Sequence, residues 1–316
     1  MSLSNTMVLV KNELKKIMFQ RSFLLLVICL FIPILILGRW DYVKIHNENS
    51  TASNWKENLI IENQKLKKSI DSGELSNSNL EEQHKINEYR INNNLSPETD
   101  FSLLGFMKKC AGMTSIIAII LIYFASSLMS KEYQWKTINF LLTRTSTRLS
   151  IFISKFLSMV MLYFVLIIIV MFYSMLVGSV LYGLNFHSYS DLSVVNGEVV
   201  EKSLIGSIFI QYIINLLPDL FFVALSYALS TILKSSGLSL LVGLALFAMS
   251  DPISMFIQNK QWGKYLPFMH TDLSMYLDSV SIGNGMTIQF SITILIIYIG
   301  LLLLLSGYVF KKRDIV

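Results

Sequence analysis

IFISKFLSMVMLYFVLIIIVMFYSMLVGSVLYGL, residues 151–184, carries a single charged side chain, Lys155, close to its start. The helix of a soluble domain turns a polar stripe to water at every turn, and this run has none. Apolar stretches of about 18 residues or more cross bilayers, because lipid offers the backbone no partners and a helix satisfies its own amides. As one helix the run would reach roughly 50 Å at ~1.5 Å per residue. That exceeds the ~30 Å hydrocarbon core, so it must tilt, break near Gly178 or Gly183, or project from the membrane.

Working outward, five more apolar runs flank it: 22–38 with Pro33 inside, 110–129, 205–233 with Pro218-Asp219, 238–257 with Asp251-Pro252, and 288–310. The expected fold is therefore an all-α polytopic membrane protein with six transmembrane helices (TM1 to TM6). Composition agrees: 53% of the residues are hydrophobic and 15% charged, against roughly 25% charged in a soluble domain. Mean hydropathy is +0.56. Neither Cys29 nor Cys110 has metal or redox spacing around it, so both read as packing residues. The net charge of +5 comes from basic residues at helix ends, which excludes nucleic acid as the natural partner and points to topology.

The polar pieces lie between the runs. Residues 1–21 form an amphipathic cytoplasmic helix on the lipid surface, with Val10, Leu14, Ile17 and Met18 on one face and Lys11, Lys15 and Lys16 turned away. The polar start and the lack of a small-x-small site after the first run argue against a cleaved leader. Residues 39–109 are rich in Asn, Lys, Glu and Ser. Trp55, Leu59, Leu66 and Ile70 recur at helical spacing there, Asp71-Ser72-Gly73 interrupts, and Leu80, Ile86 and Ile91 resume, which predicts an extracytoplasmic helical hairpin. Residues 130–150 form a cytoplasmic link, 185–204 and 258–286 outer loops, the second with room for re-entrant helices, and 311–316 a cytoplasmic tail. Under this topology the short cytoplasmic segments hold twelve Lys and Arg and the short outer loops three, Lys202, Lys260 and Lys264, as the positive-inside rule requires, while the 41–109 insert is long enough to be exempt.

Chemistry is sparse. Gripping ATP takes a G-x-x-x-x-G-K-[ST] loop, and the Gly263-Lys264 pair is followed by Tyr265, so this chain binds no nucleotide. HExxH and GxSxG are lacking too, and His46, His84, His187 and His270 fall in or beside outer loops; no metal is expected. Asp219 and Asp251 are ionisable groups within spans, with Asn215 one turn before Asp219 on the same face. Such groups face protein or water. They either line a pathway and meet a cationic substrate group, or they answer backbone groups freed by Pro218 and Pro252.

The segment KEYQWKTINFLLTRTSTRLSIFISK, residues 131–155, is more informative. Trp135, Ile138, Phe140, Leu141 and Leu142 would share one face of a short helix able to enter a partner's groove or to lie on the bilayer. Glu132, Thr137, Leu141, Leu142, Arg148 and Lys155 resemble, in order and spacing, the signature of ABC-2 type ABC transporter permeases. Thr145 stands where that signature has proline, and Trp135 stands near its glycine. The ending Phe310-Lys311-Lys312-Arg313-Asp314-Ile315 is similar to the F-x-x-R-D-I close of the same family. The resemblance implies a permease subunit of an ATP-driven exporter, paired with a second permease subunit in the membrane lipid. Separate cytoplasmic ABC ATPase subunits would carry ATP and Mg, and this chain would hold no cofactor and catalyse nothing. The ATPase-coupling residues it implies are Glu132, Tyr133, Trp135, Thr137 and Arg148, with Glu132 making the polar contact and Lys11 and Glu13 of the surface helix adding to it. The pathway candidates are Asn215, Asp219 and Asp251. The substrate reading is export of, or resistance to, an antimicrobial or other peptide, with lipid or drug export beside it. A membrane sensor using the 41–109 hairpin is the rival reading, and an intramembrane enzyme a weaker one. Abundant Asn, Lys and Ile suggest the cytoplasmic membrane of a low-GC Gram-positive bacterium.

Overall fold

A computed structural model describes residues 3–48, 55–71, 78–95, 102–136, 147–184, 190–195, 198–258, 260–277 and 286–312. The fold is mostly helical. Helix α1 (Leu3–Met18) turns at Phe19-Gln20 into α2 (Arg21–Glu48), which runs through Pro33. Helices α3 (Trp55–Asp71) and α4 (Ser78–Asn92) pack antiparallel, with Lys56 bonded to Asn94 and Asn63 to the His84 carbonyl. Next come α5 (Leu103–Ala111), α6 (Thr114–Leu128) and the single turn α7 (Ser130–Gln134). Helix α8 (Arg148–Tyr182) is followed by strands β1 (Ser190–Val195) and β2 (Glu198–Ser203). The remaining helices are α9 (Leu204–Ile214), α10 (Leu216–Leu233), α11 (Ser236–Ala248), α12 (Ser250–Ile257) and α13 (Ile288–Lys312), with short 3-10 turns between the last two.

Five helical stretches among the described residues are long and apolar enough to cross a membrane: Arg21–Val43, Thr114–Gln134, Arg148–Tyr182, Leu204–Leu233 and Ile288–Lys312. The pair α11–α12, bent by 49°, raises the number to six if counted as one span. The protein is thus a multi-pass membrane protein. All-α was too simple: the 185–204 loop contains an antiparallel pair running from Ser190↔Ser203 to Val195↔Glu198. The intervening dipeptide lies outside the described residues, but its sequence, Asn196-Gly197, is the strongest short signal for a hairpin.

The long apolar run does not break. Thr147 caps α8, its Oγ1 accepting the Ser150 amide at 3.4 Å, and the helix ends at Gly183 with φ 75°. Gly178 is a packing residue: a Cβ there would lie 2.7 Å from Leu103 Cδ1 and 3.2 Å from Phe106 Cδ1 of α5. At the same level Asp41 of α2 accepts Lys109 of α5 at 3.0 Å and the Tyr182 hydroxyl of α8 at 3.0 Å. Lys108 pairs with Asp191 of β1 at 2.7 Å, and the Tyr89 hydroxyl donates to Glu201 of β2 at 3.1 Å. The two-helix unit, α5 and the hairpin therefore join at one end of the bundle.

At the other end lie α1, α7, the start of α8 and the close of α13. The apolar face read from the sequence packs inward there, with Val10 4% and Ile17 2% exposed, chiefly against α8. Helix α10 is the centre of the bundle. Phe221, Phe222, Val223 and Tyr227 are buried among α6, α8, α11 and α13, while Ile28, Leu241 and Leu304 on the flanking helices stay exposed, as lipid-facing positions do.

Candidate functional site

Four charged side chains meet where α1, α7 and α8 converge. Lys155, one turn into the apolar run, sends Nζ to Glu132 Oε1 at 2.9 Å and to Glu13 Oε2 at 3.1 Å. Lys16, one turn beyond Glu13 on α1, reaches the same Glu132 oxygen at 2.9 Å. The Lys155 and Glu132 side chains are 1% and 6% exposed, Lys16 55%. Burial pulls the Lys16 ammonium down, but Glu13 and the hydrogen bond to Glu132 outweigh it and raise its pKa. Two anions and two cations thus balance in a site where a lone charge would cost several kcal/mol.

Local sequence explains the convergence. Helix α7 continues α6 through Met129, so Glu132 turns inward. The Ser130 amide donates to Ser230 Oγ of α10 at 3.1 Å, and the Tyr227 hydroxyl of α10 donates to the Phe152 carbonyl of α8 at 2.9 Å. Phe152 stacks on Phe310 of α13, centroids 5.9 Å apart.

The sequence-derived coupling residues divide around this cluster. Glu132 was expected to face a partner, and that needs correction: it is buried and spent on Lys16 and Lys155 of its own chain. Tyr133 is half-buried, its ring 6.5 Å from that of Phe310 and 5.2 Å from the Lys234 ammonium. Trp135 is 67% exposed. Arg148 Nη1 donates to the Lys311 carbonyl at 3.3 Å. Thr137 and the apolar face of Ile138, Phe140, Leu141 and Leu142 lie outside the described residues. Sequence reasoning missed the closure of Glu132 on Lys155. A lysine inside an apolar run demands a partner, and that demand was the available signal.

The intramembrane candidates separate. Asp219 of α10 is 5% exposed and faces the Tyr163 hydroxyl of α8, itself fully buried. Asn215 sits at the break between α9 and α10, its Nδ2 3.4 Å from Thr114 Oγ1. Asp251 is instead exposed in the first turn of α12, where the helix dipole favours a carboxylate. It does not join the other two.

A third arrangement lies in the 258–286 region. The buried His270 has Nε2 2.8 Å from the Lys264 carbonyl and Nδ1 2.8 Å from Ser291 Oγ of α13, and Tyr276 Oη is 2.6 Å from the same oxygen. A carbonyl only accepts, so Nε2 carries the proton, Nδ1 accepts from Ser291, and Tyr276 donates to Ser291. Burial pushes the imidazole pKa down from 6.5, only partly countered by the Lys264 carbonyl. The triad works as a clasp that ties the Lys264 carbonyl and Tyr276 to α13 through the fully buried Ser291. Among the described residues no group of three His, Cys, Asp or Glu could hold a metal.

Residues 85–316, most of the chain, match a family described as a protein of unknown function (DUF2705). The chain belongs to that family. The DUF2705 match takes in Glu132, Lys155, Tyr163, Asp219 and His270, and leaves α1 and α2 outside it. Two Bacillus subtilis (strain 168) proteins are similar. One, the uncharacterized protein YhcI, is 28% identical over 266 residues, 83% of this chain and 85% of the relative. The other, the uncharacterized membrane protein YdbK, is 28% identical over 225 residues, 70% of this chain and 87% of the relative.

Proposed function

We propose that this chain is the permease subunit of an ATP-driven exporter of the ABC-2 type. The observation that carries the reading is the Glu132–Lys155 pair. Those residues open and close the TM2-to-TM3 segment that resembles the family's coupling signature, and the buried pair binds that segment to α1 and α8. Force applied to the exposed part of the segment would then reach two helices through charged contacts too costly to break singly. Glu132 acts in this reading as a positioning residue, and Trp135 offers exposed aromatic surface of the kind that anchors protein interfaces. ATP and Mg belong to cytoplasmic ATPase partners, and a second permease subunit completes the pathway.

The basic residues of α1, α7 and the close of α13 put that end in the cytosol by the positive-inside rule, which makes α1 interfacial and places α3, α4 and the β hairpin outside. A Gram-positive cytoplasmic membrane suits the Bacillus relatives. A peptide remains the preferred substrate, since an outer unit of helices and strands suits a chain-like ligand.

The test is co-purification of an ABC ATPase with the tagged chain from its native membrane, and ATP turnover in that complex. Trp135→Ala should leave folding within about 0.5 kcal/mol, as exposed substitutions do, and lower transport-coupled ATP turnover severalfold. Full ATP turnover in the variant, or a chain active with no ATPase bound, would sink the proposal and favour a sensor.

A further inference from the structure

Asp219 lies midway along the Leu204–Leu233 span, roughly 22 Å of helix from its start at ~1.5 Å per residue. Its buried Oδ2 and the buried Tyr163 Oη face each other, and among the described residues no cation stands beside them. Asn215 Oδ1, one turn away, and Gln211 Oε1, two turns away, are buried without a hydrogen-bond partner. All four are oxygens. Gln211, Asn215 and Asp219 follow at four-residue spacing, so they lie along one side of the span from the β-hairpin end to its middle.

No positive charge answers this carboxylate. Among the described residues Asp219 makes no ion pair. Helices α6 and α11 carry no charged side chain, and α13 carries its lysines at Lys311 and Lys312, at the opposite end. Tyr163 is the titratable group facing Asp219 from α8, and Tyr298 of α13 packs on neighbouring Phe221 with centroids 6.3 Å apart. Answering Pro218 does not account for an ionised Asp219 either. Proline removes an amide and so frees a carbonyl, that of Ile214, four residues back. An ionised carboxylate cannot satisfy a carbonyl, because both accept; only with a proton on it could Asp219 donate there.

We propose that Asp219, Tyr163 and Asn215 form an intramembrane site for a small monovalent cation, either a proton or an alkali ion, entered from the β-hairpin end past Gln211. A buried carboxylate must be neutralised, and one carboxylate with neutral oxygens balances one positive charge. The site is a property of the chain alone and stands apart from coupling to an ATPase.

The purified full-length chain, in nanodiscs, is heated in NaCl, KCl, LiCl or N-methylglucamine chloride at equal ionic strength, and its carboxyl groups are followed by infrared spectroscopy at neutral pH. An alkali occupant raises Tm with one or more alkali salts, saturably, in the parent and not in Asp219→Asn. Tyr163→Phe then needs about tenfold more salt, the size of one lost charge-assisted contact. A proton occupant gives no alkali effect, but a carboxylic acid carbonyl band that Asp219→Asn removes and Tyr163→Phe shifts. If Asp219→Asn fails to fold, the Tyr163→Phe displacement of either readout decides. An alkali-indifferent chain without that band overturns the proposal, as does an alkali effect or band that Tyr163→Phe leaves in place while Asp219→Asn is misfolded.

Discussion

Replacing Lys155 by Met tests the charge cluster most directly. The methionine keeps the stem that packs in α8 and removes the ammonium held 2.9 Å from Glu132 and 3.1 Å from Glu13. Stripping one partner from a buried pair costs about 3–5 kcal/mol. The low end applies, about 3 kcal/mol, because Lys16 still reaches Glu132 Oε1 from its half-exposed position. Glu132→Gln alone should cost a similar amount, since it leaves Lys155 to Glu13. The double variant should lose about 2 kcal/mol less than the sum of the singles, because neither Glu132 nor Lys155 is then left without the other and the remaining Glu13 and Lys16 balance in charge. Lys16→Met should cost under about 1 kcal/mol, its charge being exposed and screened. Reversible unfolding in mixed micelles of detergent and dodecyl sulfate measures all four. A Lys155→Met chain within about 0.5 kcal/mol of the parent, or strictly additive singles, would refute the cluster as a buried, mutually compensating unit.

Two further outcomes are expected. Gly178→Ala must push Leu103 and Phe106 away from the Cβ it adds, so it should destabilise by about 1–2 kcal/mol, overpacking outweighing the better helix propensity; Gly300→Ala, with open space around it, should be neutral or slightly stabilising in the same unfolding assay, and equal effects at the two sites would contradict the packing. The His270 clasp should loosen in acid. Its folded pKa lies below 6.5, so the unfolded segment binds the proton more readily, and the stabilisation complete above pH 6.5 falls away as pH drops through the folded value. Hydrogen exchange of residues 263–277, corrected for its intrinsic pH dependence, should show faster opening at pH 5.5 than at 7.5, and His270→Gln should abolish that difference. Identical opening at the two pH values would remove the histidine from the account.

Spans were legible in the sequence because each needs some twenty apolar residues in a row, and no other element satisfies that demand. Breaks were not. The residue pair Pro218-Asp219 marks trouble in a helix, yet the interruption falls at Asn215, where the missing proline amide is felt on the preceding turn. Gly178 has the composition of a helix breaker and the role of a packing notch, and what decides between them is α5, a helix more than sixty residues earlier in the chain. The strand pair was overlooked although Asn196-Gly197 announced it, because period-two patterning over such short strands is easily lost between long apolar runs. Glu132 and Lys155 were both visible as components of a motif. Their pairing was not, since sequence order puts them 23 residues apart and only the return of the chain into α8 closes the gap.

The central position of α10 connects what these sites do separately. Near its end it is tied to α7 through Ser230 and to α8 through Tyr227, both bonds buried. A buried hydrogen bond left half-made costs about 1–3 kcal/mol. A displacement of α7 or α8 large enough to separate Glu132 from Lys155 would also strain those bonds unless α10 moved with it. Asp219 lies eight residues before Tyr227, roughly 12 Å along the same helix axis, and Tyr163 lies eight residues after Lys155 on α8. Lys155 of the charge cluster and Tyr163, which faces the intramembrane carboxylate, thus lie on the same helix α8, two turns or so apart, and α10 carries Asp219 together with the bonds that tie it to α7 and α8. A change in the charge of Asp219 would alter the packing of α8 against α10, and a pull on the α7 turn would alter the same contact from the other side.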